Sequence, residues 1–513
     1  MIMQEKHMRE HLATLIDDFR RPDSKMAREI AVVHYRGNRR HATTYGELAR
    51  MAGRFAAFLA AQNIGLGDRV LIWAENSAEW VAAFHGCLLR GVLAVPLDAA
   101  GSADFAARVA ADVHAKLAVG DTLLLSNLAA AKPELPTLAF DDWLNRLPTA
   151  EMGAASGLTH ETPLQILFTS GTTGDPKAVL HLHNTTNSAV RFANHGHDIT
   201  AESVVLVLLP AGLNWGLINV LQGQEAGCTL IMMDVFDAVA AMRLIERERV
   251  TYFCCAPAHL VAMLNSPEID QFDLSSLDMV VTGGASCPIE VIRAFRARLR
   301  GHLIELYGML ETGFQSWTRR TDDPEAVCGT CGPCIPQVES RILDDDDRTC
   351  PPGNVGEIVS RGPSVTIGYY NNADANARSF MERGWFRTGD LGTLDAQGLL
   401  RIVGRKKEMI IRGGANIYPR EIEEVLYQHP DIMDAAVIGI PDARLGERTC
   451  ACIVPRPGRS VSFADVIDFL RPKIATYKLP ETVQVLDSLP RTPTGKIQKD
   501  PLRAMILRKL APA

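Results

Sequence analysis

Long apolar runs are missing from this chain of 513 residues. The best of them, Val204–Pro210 extending to Leu213, is too short to span a bilayer. An excess of charge of one sign is missing as well: 53 Lys and Arg face 60 Asp and Glu, a formal net charge of -7 with acids and bases interspersed, so no nucleic-acid footprint is visible. No internal repeat, low-complexity tract or Walker loop (G-x-x-x-x-G-K-[ST]) occurs. The N-terminal residues Glu5, Lys6, Arg9, Glu10, Asp17, Asp18, Arg20 and Arg21 read as a charged helix rather than a signal peptide, and a cytoplasmic protein is expected. Cysteines number eleven, an odd count, and several fall in expected strands (Cys254, Cys255, Cys450, Cys452), as small buried hydrophobes in a reducing compartment do. Cys328, Cys331 and Cys334 form C-x2-C-x2-C, a spacing that suggests iron–sulfur or zinc ligation; a fourth ligand is not at the expected following position, Cys350 and Cys287 being the alternatives, and no metal cluster is expected. At 47% hydrophobic and 22% charged, the chain has the makeup of a globular protein with a large core, and its length implies more than one domain.

What is present is concentrated in five short blocks. Directly after the apolar run Leu164–Phe168 comes Thr169-Ser170-Gly171-Thr172-Thr173-Gly174-Asp175-Pro176-Lys177. Two glycines and four hydroxyls in its first six residues make a poor strand and a poor helix, but a flexible loop whose N–H groups and hydroxyls can wrap phosphate oxygens. Lys177 adds a positive charge. The others are Tyr307-Gly308-Met309-Leu310-Glu311-Thr312, Trp385-Phe386-Arg387-Thr388-Gly389-Asp390, Gly404-Arg405-Lys406-Lys407-Glu408, and Pro490-Arg491-Thr492-Pro493-Thr494-Gly495-Lys496-Ile497. The last holds one lysine in a loop stiffened by two prolines.

In order and spacing these blocks resemble the adenylate-forming superfamily of acyl-CoA synthetases, aryl-acid ligases, carrier-loading adenylation domains and luciferases, over nearly the whole chain from about Thr43 to Leu502. The resemblance implies a carboxylate attacking the α-phosphate of ATP, with ATP, Mg2+ and CoA as cofactors and cosubstrates. It implies that Thr169, Ser170, Gly171, Thr172, Thr173, Gly174 and Lys177 enclose the β- and γ-phosphates, that Tyr307 stacks on adenine, and that Gly308, Met309, Gly284 and Ala285 lie close to the nucleotide. It assigns Glu311 to Mg2+, Asp390 and Arg405 to the ribose, and Lys496 to the α-phosphate and the acid, so that Lys496 and Glu311 are the catalytic pair. It makes Lys407 the hinge, and Gly413 and Gly414 the lining of a thiol tunnel that a type I′ or II′ hairpin turn would equally explain. For Glu311 the plain alternative is a solvated acid at a helix start. Two positions depart from the pattern: Ala178 replaces a glycine, and Leu310 replaces a threonine whose hydroxyl touches the α-phosphate. That lost bond costs about 1.5–3 kcal/mol unless another group, Thr312 being the candidate, replaces it.

Alternating apolar runs and helical segments predict βαβ units and largely parallel sheets, with strands at Ile166–Phe168, Val204–Leu209, Thr229–Met233, Tyr252–Ala256 and Met279–Thr282, and an earlier unit from the helix Tyr45–Gln62 into Arg69–Trp73. Gly332–Ile402 reads as a small β subdomain. The fold class is therefore α/β, a large N-terminal domain of two βαβ-type subdomains plus a β subdomain (1–403), a hinge (404–408), and a small mobile α+β domain (409–513).

The acyl pocket is implied at Leu209–Leu217 and Gly283, with Asn214 and Trp215 inside it; Asn214 alternatively caps the following helix. The expected function is an acid–CoA ligase for an aromatic, alicyclic or medium-chain carboxylic acid, a reaction of fatty acid metabolism among others. Its partners are the small acid, ATP and CoA, with no membrane span, and a homodimer stays open. The alternatives are a ligase that loads a carrier protein's phosphopantetheine in trans, and a nucleotide-binding pseudoenzyme suggested by Leu310.

Overall fold

The computed structural model describes residues 11–19, 25–169, 176–285, 287, 289–323, 329–491 and 497–510. A seven-stranded sheet runs in the order Gly368–Tyr369, Ala178–Leu182, Pro163–Phe168, Leu93–Leu97, Arg69–Trp73, Leu117–Gly120, Thr137–Ala139. Its last five members are parallel, whereas Pro163–Phe168 and Ala178–Leu182 form an antiparallel hairpin. An eight-stranded sheet is parallel through its centre (His302–Met309, Met279–Gly283, Tyr252–Cys255, Val204–Val207, Thr229–Met232, Ile30–Arg36). It ends in antiparallel edges at Gly313–Trp317 and Arg39–Thr44.

Helices cover these sheets, and two of them start at a defined signal. Thr44 and Glu47 close a capping box on Tyr45–Ala61, Ser77 accepts from Trp80 N at the head of Ala78–Arg90, and Gly91, with φ 65°, ends that helix in the left-handed region. Tyr45–Ala61, Ala78–Arg90, His183–Gly196 and Asn214–Ala226 lie between the two sheets. One continuous core joins Val70 and Ile72 of the first sheet to Val205 and Val281 of the second, through Phe55, Phe84, Val190 and Leu217. The two βαβ subdomains thus share their apolar interior.

Residues 339–405 make a four-stranded antiparallel sheet, Glu339–Leu343, Gly356–Arg361, Phe386–Leu394, Leu400–Arg405. After the short 3-10 turn Lys406–Glu408 the chain builds a separate sheet from Ala415–Ile417, Ile410–Arg412, Gly446–Pro455, Ile432–Asp442 and Thr482–Val485, with its own apolar core around Ile422, Val437, Ile453 and Leu470. The architecture is the mixed α/β one expected. Ile30–Thr44 belongs to the second sheet although the helix after it leads into the first, and Ile432–Pro455 forms one long hairpin. Among the described residues no helix is long and apolar enough to cross a membrane.

Candidate functional site

The Gly/Thr loop is the connection of the hairpin Pro163–Phe168/Ala178–Leu182, with Phe168 opposite Ala178. Ser170, Gly171, Thr172, Thr173 and Gly174 lie outside the described residues. Its base is closed reciprocally: Thr169 N donates to Lys177 O at 3.0 Å, and Lys177 N donates to Thr169 Oγ1 at 3.1 Å. Ala178 sits in the strand, its carbonyl accepting from Tyr370 N at 2.7 Å, so the methyl in place of glycine is absorbed by ordinary strand geometry. The exposed Lys177 ammonium stands 4.6 Å over the ring of Tyr369.

Glu311 is in the turn of a second hairpin, with Met309 opposite Gly313. It is not a solvated acid at a helix start: it is 6% exposed, and Tyr369 donates its hydroxyl proton to Oε1 at 2.9 Å. Burial raises its pKa, while the Tyr369 bond and the charges of Lys177 and Arg405 pull the other way. Three donors hold the carbonyls of this turn. His181 Nε2 donates to Leu310 O at 2.8 Å, Thr366 N to Glu311 O at 2.7 Å, and Ser364 Oγ to Thr312 O at 2.8 Å. Burial lowers His181 to about 4, so it is the neutral tautomer with its proton on Nε2, and Nδ1 lies 3.0 Å from Thr185 Oγ1. Thr312 does not replace the hydroxyl missing at Leu310. It is fully buried, and its Oγ1 accepts from Gln315 Nε2 at 2.6 Å and faces Gly313 O at 3.3 Å.

Tyr307, in the strand leading to that turn, donates to Asp390 Oδ2 at 2.8 Å. Arg405 Nε lies 3.2 Å from Asp390 Oδ1, because Asp390 and Arg405 are register partners in the four-stranded sheet. Asp390 N is held by Thr388 Oγ1 at 3.0 Å. Among the described residues each Asp390 oxygen has one protein partner, leaving acceptor capacity for two hydroxyl donors. Tyr307 packs against Ile342, Ile358 and Leu400. At Gly308 a Cβ would come within 2.5 Å of Gly313 O, so only glycine permits the hairpin, and Met309 beside it is half-buried. Gly284 (φ 72°) and Ala285 are exposed just beyond the end of Met279–Gly283.

The helix Asn214–Ala226 has Leu213 at its N-cap; Asn214 is its first residue and does not cap it. A Cβ at Gly283 would lie 3.2 Å from the Trp215 ring and 2.5 Å from Leu306 O, so the room left by this glycine is taken by the indole.

Lys407 lies in the turn Lys406–Glu408; burial and Arg405 lower its pKa. Gly413 (φ 57°) and Gly414 (φ 85°) join the strands ending at Arg412 and starting at Ala415, a two-residue hairpin loop with both residues left-handed, as a type I′ turn requires. Lys496 lies outside the described residues. The flanks of its loop are joined by a bridge between Arg491 and Ile497 and by Gln498 N donating to Pro490 O at 2.8 Å. Lys499 pairs with Glu423 at 2.8 Å and with Glu408 at 3.4 Å, tying this region to the residue after Lys407. Cys328 is outside the described residues; Cys331 is pushed up to about 12 by burial beside Glu305.

Tyr369, His181, Ser364 and Lys499 were missed from sequence. A lone histidine in a strand such as Leu180-His181-Leu182 reads as a core residue, and a Gly-Tyr pair carries no signal of its own.

A family model for AMP-binding enzymes matches residues 19–370, and one for the C-terminal domain of AMP-binding enzymes matches residues 421–496. An indoleacetate–CoA ligase from Aromatoleum aromaticum is 35% identical over 479 residues, 91% of this chain and 94% of the relative. A medium-chain fatty-acid–CoA ligase from Escherichia coli is 33% identical over 522 residues, 97% of this chain and 91% of the relative. Among solved structures, ATP-bound MatB from Rhodopseudomonas palustris superposes with a TM-score of 0.88 at 28% identity, covering 96% of this chain and 98% of that one. The chain belongs to the AMP-binding enzyme family.

Proposed function

We propose that this AMP-binding enzyme is an AMP-forming acid–CoA ligase, and that its acid is aromatic, alicyclic or of medium chain length, the range to which the names of the indoleacetate and medium-chain relatives belong. One observation carries the site assignment: a single hairpin presents Tyr307, tied to Asp390 and Arg405, and four residues on Glu311, tied to Tyr369 beneath Lys177. A ribose acceptor and a phosphate-side carboxylate are thus bonded or borne by residues four apart in one hairpin, as one nucleotide requires.

In this reading Asp390 accepts both ribose hydroxyl protons while Arg405 orients it. Thr169–Gly174 and Lys177 grip the β- and γ-phosphates. Glu311, bonded to Tyr369 through Oε1, would hold a cation that takes few protein oxygens, and Mg2+ there would supply charge neutralisation on the phosphates. The acid's carboxylate oxygen attacks the α-phosphorus as the bond to pyrophosphate breaks, and the Lys496 ammonium offsets the charge that develops. The C-terminal module then turns about Lys407, withdraws Lys496, and admits the CoA arm past Gly413 and Gly414. The thiol sulfur attacks the acyl carbon and AMP leaves. A cytoplasmic location accompanies this reading.

Lys496→Ala tests it. Pyrophosphate release should fall by about 10²–10³-fold or more, while thioester formation from supplied acyl-AMP and CoA persists. Retained adenylation would overturn the assignment. Leu310, with Thr312 locked away, is the observation that favours a pseudoenzyme; pyrophosphate release from any acid by the unmodified protein removes that alternative. Comparing free CoA with a carrier protein as acceptor decides between the two ligase readings.

A further inference from the structure

The helix Asn214–Ala226 turns Trp215, Ile218, Asn219 and Gln222 to one face by their spacing. Opposite them the central strands present Cys254, Val281, Gly283 and Leu306, joined by the registers Cys254 to Val281 and Gly283 to Leu306. This wall belongs to the core that Leu310 packs against from the turn above. An acid whose carboxylate meets the α-phosphate at that turn directs its acyl group toward this wall, in the carboxyl-terminal half of parallel strands, the end at which open α/β sheets bind ligands.

A wall that meets only hydrocarbon needs no polar atoms, yet this one holds three without a partner among the described residues, on Asn219, Gln222 and Trp215. Asn219 is fully buried; Nδ2 donates to Gln222 Oε1 at 2.9 Å, and Oδ1 has no donor among the described residues. Trp215 Nε1 is buried one helical turn nearer the helix start with no oxygen or nitrogen acceptor among the described residues; it faces the Cys254 sulfur, a weak acceptor already 3.1 Å from the Tyr252 hydroxyl. Buried polar groups are almost always partnered, and a site built to bond a substrate's N–H or O–H rejects the analogue that lacks it.

We propose that Asn219 and Trp215 are specificity determinants that select a ring acid carrying an N–H or hydroxyl over its hydrocarbon counterpart. Asn219 Oδ1 accepts the substrate's proton, and Trp215 Nε1 donates to a hydroxyl oxygen. The proposal rests on the ligase reading and narrows it.

The test uses the full chain with ATP, Mg2+ and CoA, measuring kcat/KM by pyrophosphate release for two matched pairs: indole-3-acetate against naphthalene-1-acetate, and 4-hydroxyphenylacetate against phenylacetate. The polar member of at least one pair should be preferred tenfold or more. Asn219→Leu should bring that ratio toward one, and Trp215→Phe should lower it for the hydroxyl pair. Ratios within twofold for both pairs in the unmodified protein overturn the selectivity, whether or not either variant folds. A preference unchanged in a folded Asn219→Leu overturns the assignment to Asn219. Failure to release pyrophosphate with these acids and with a wider panel of acids overturns the ligase reading instead.

Discussion

At the scale of single residues, Glu311 is the group whose environment and task pull hardest against each other. The hairpin turn buries it, which favours the protonated form, but cation binding needs the carboxylate. Its raised pKa sets two signs. Adenylation should rise with pH through a limb above the ordinary glutamate value, since only the ionised form works. Stability runs the other way. A carboxyl whose folded pKa is raised contributes most below its unfolded pKa, and that contribution is lost as pH rises through the folded value. Glu311→Gln keeps an oxygen that accepts from Tyr369 and removes the charge. It should therefore lose adenylation, by about 10²-fold or more if one charge-stabilising group is worth what such groups usually are, while its Tm matches or exceeds the parent's at pH 8 and the advantage shrinks toward pH 5. A Tm deficit that grows with pH would show that the charge is structurally required.

At the scale of elements, the turn after Tyr307 shows how a departure from the family pattern is contained. His181, Thr366 and Ser364 fix the carbonyls of positions 310, 311 and 312 irrespective of the side chain at 310, so Leu310 changes what the site can donate without changing where the turn lies. Leu310→Thr should then restore a hydroxyl to an intact turn. One bond to a charged group is worth about 1.5–3 kcal/mol, so kcat for pyrophosphate release should increase roughly tenfold or more. An unchanged kcat with unchanged stability would mean that another donor already serves the α-phosphate. The same elements show what was legible in the sequence. Tyr-Gly-x-x-Glu is contiguous, and its two candidate site residues are named without knowing the fold. Asp390 and Arg405 are legible singly. Their pairing is not, since it depends on the register set by the turn between their strands, and a slip of one residue would face them apart. His181 acts on a carbonyl 129 residues away, a partnership that no local pattern encodes.

At the scale of the whole molecule, the proposed movement of the C-terminal module must break contacts as well as make them, and one is chemically marked. Glu305, on the strand that continues to Tyr307, faces Arg420 and Glu424 of the helix Pro419–Leu426 across the boundary, with Arg296 and Arg401 on its own side. Burial, foremost, raises its pKa from 4.5 to about 8. Burial of this carboxyl in the docked arrangement, against the opposing pull of Arg420, therefore favours the proton-bound form. The stabilisation is fully present below about 4.5 and is lost progressively as pH rises to about 8, where the buried carboxylate ionises beside Glu424. Glu305→Gln is neutral throughout and should flatten this dependence. A donor–acceptor dye pair placed on the surfaces of the large and small modules should report less of the docked arrangement at pH 8.5 than at pH 5.5 in the unmodified protein, and no such change in the variant. Parallel pH profiles in the two proteins would mean that the arginines around Glu305 already carry its charge, and that the boundary does not sense protons there.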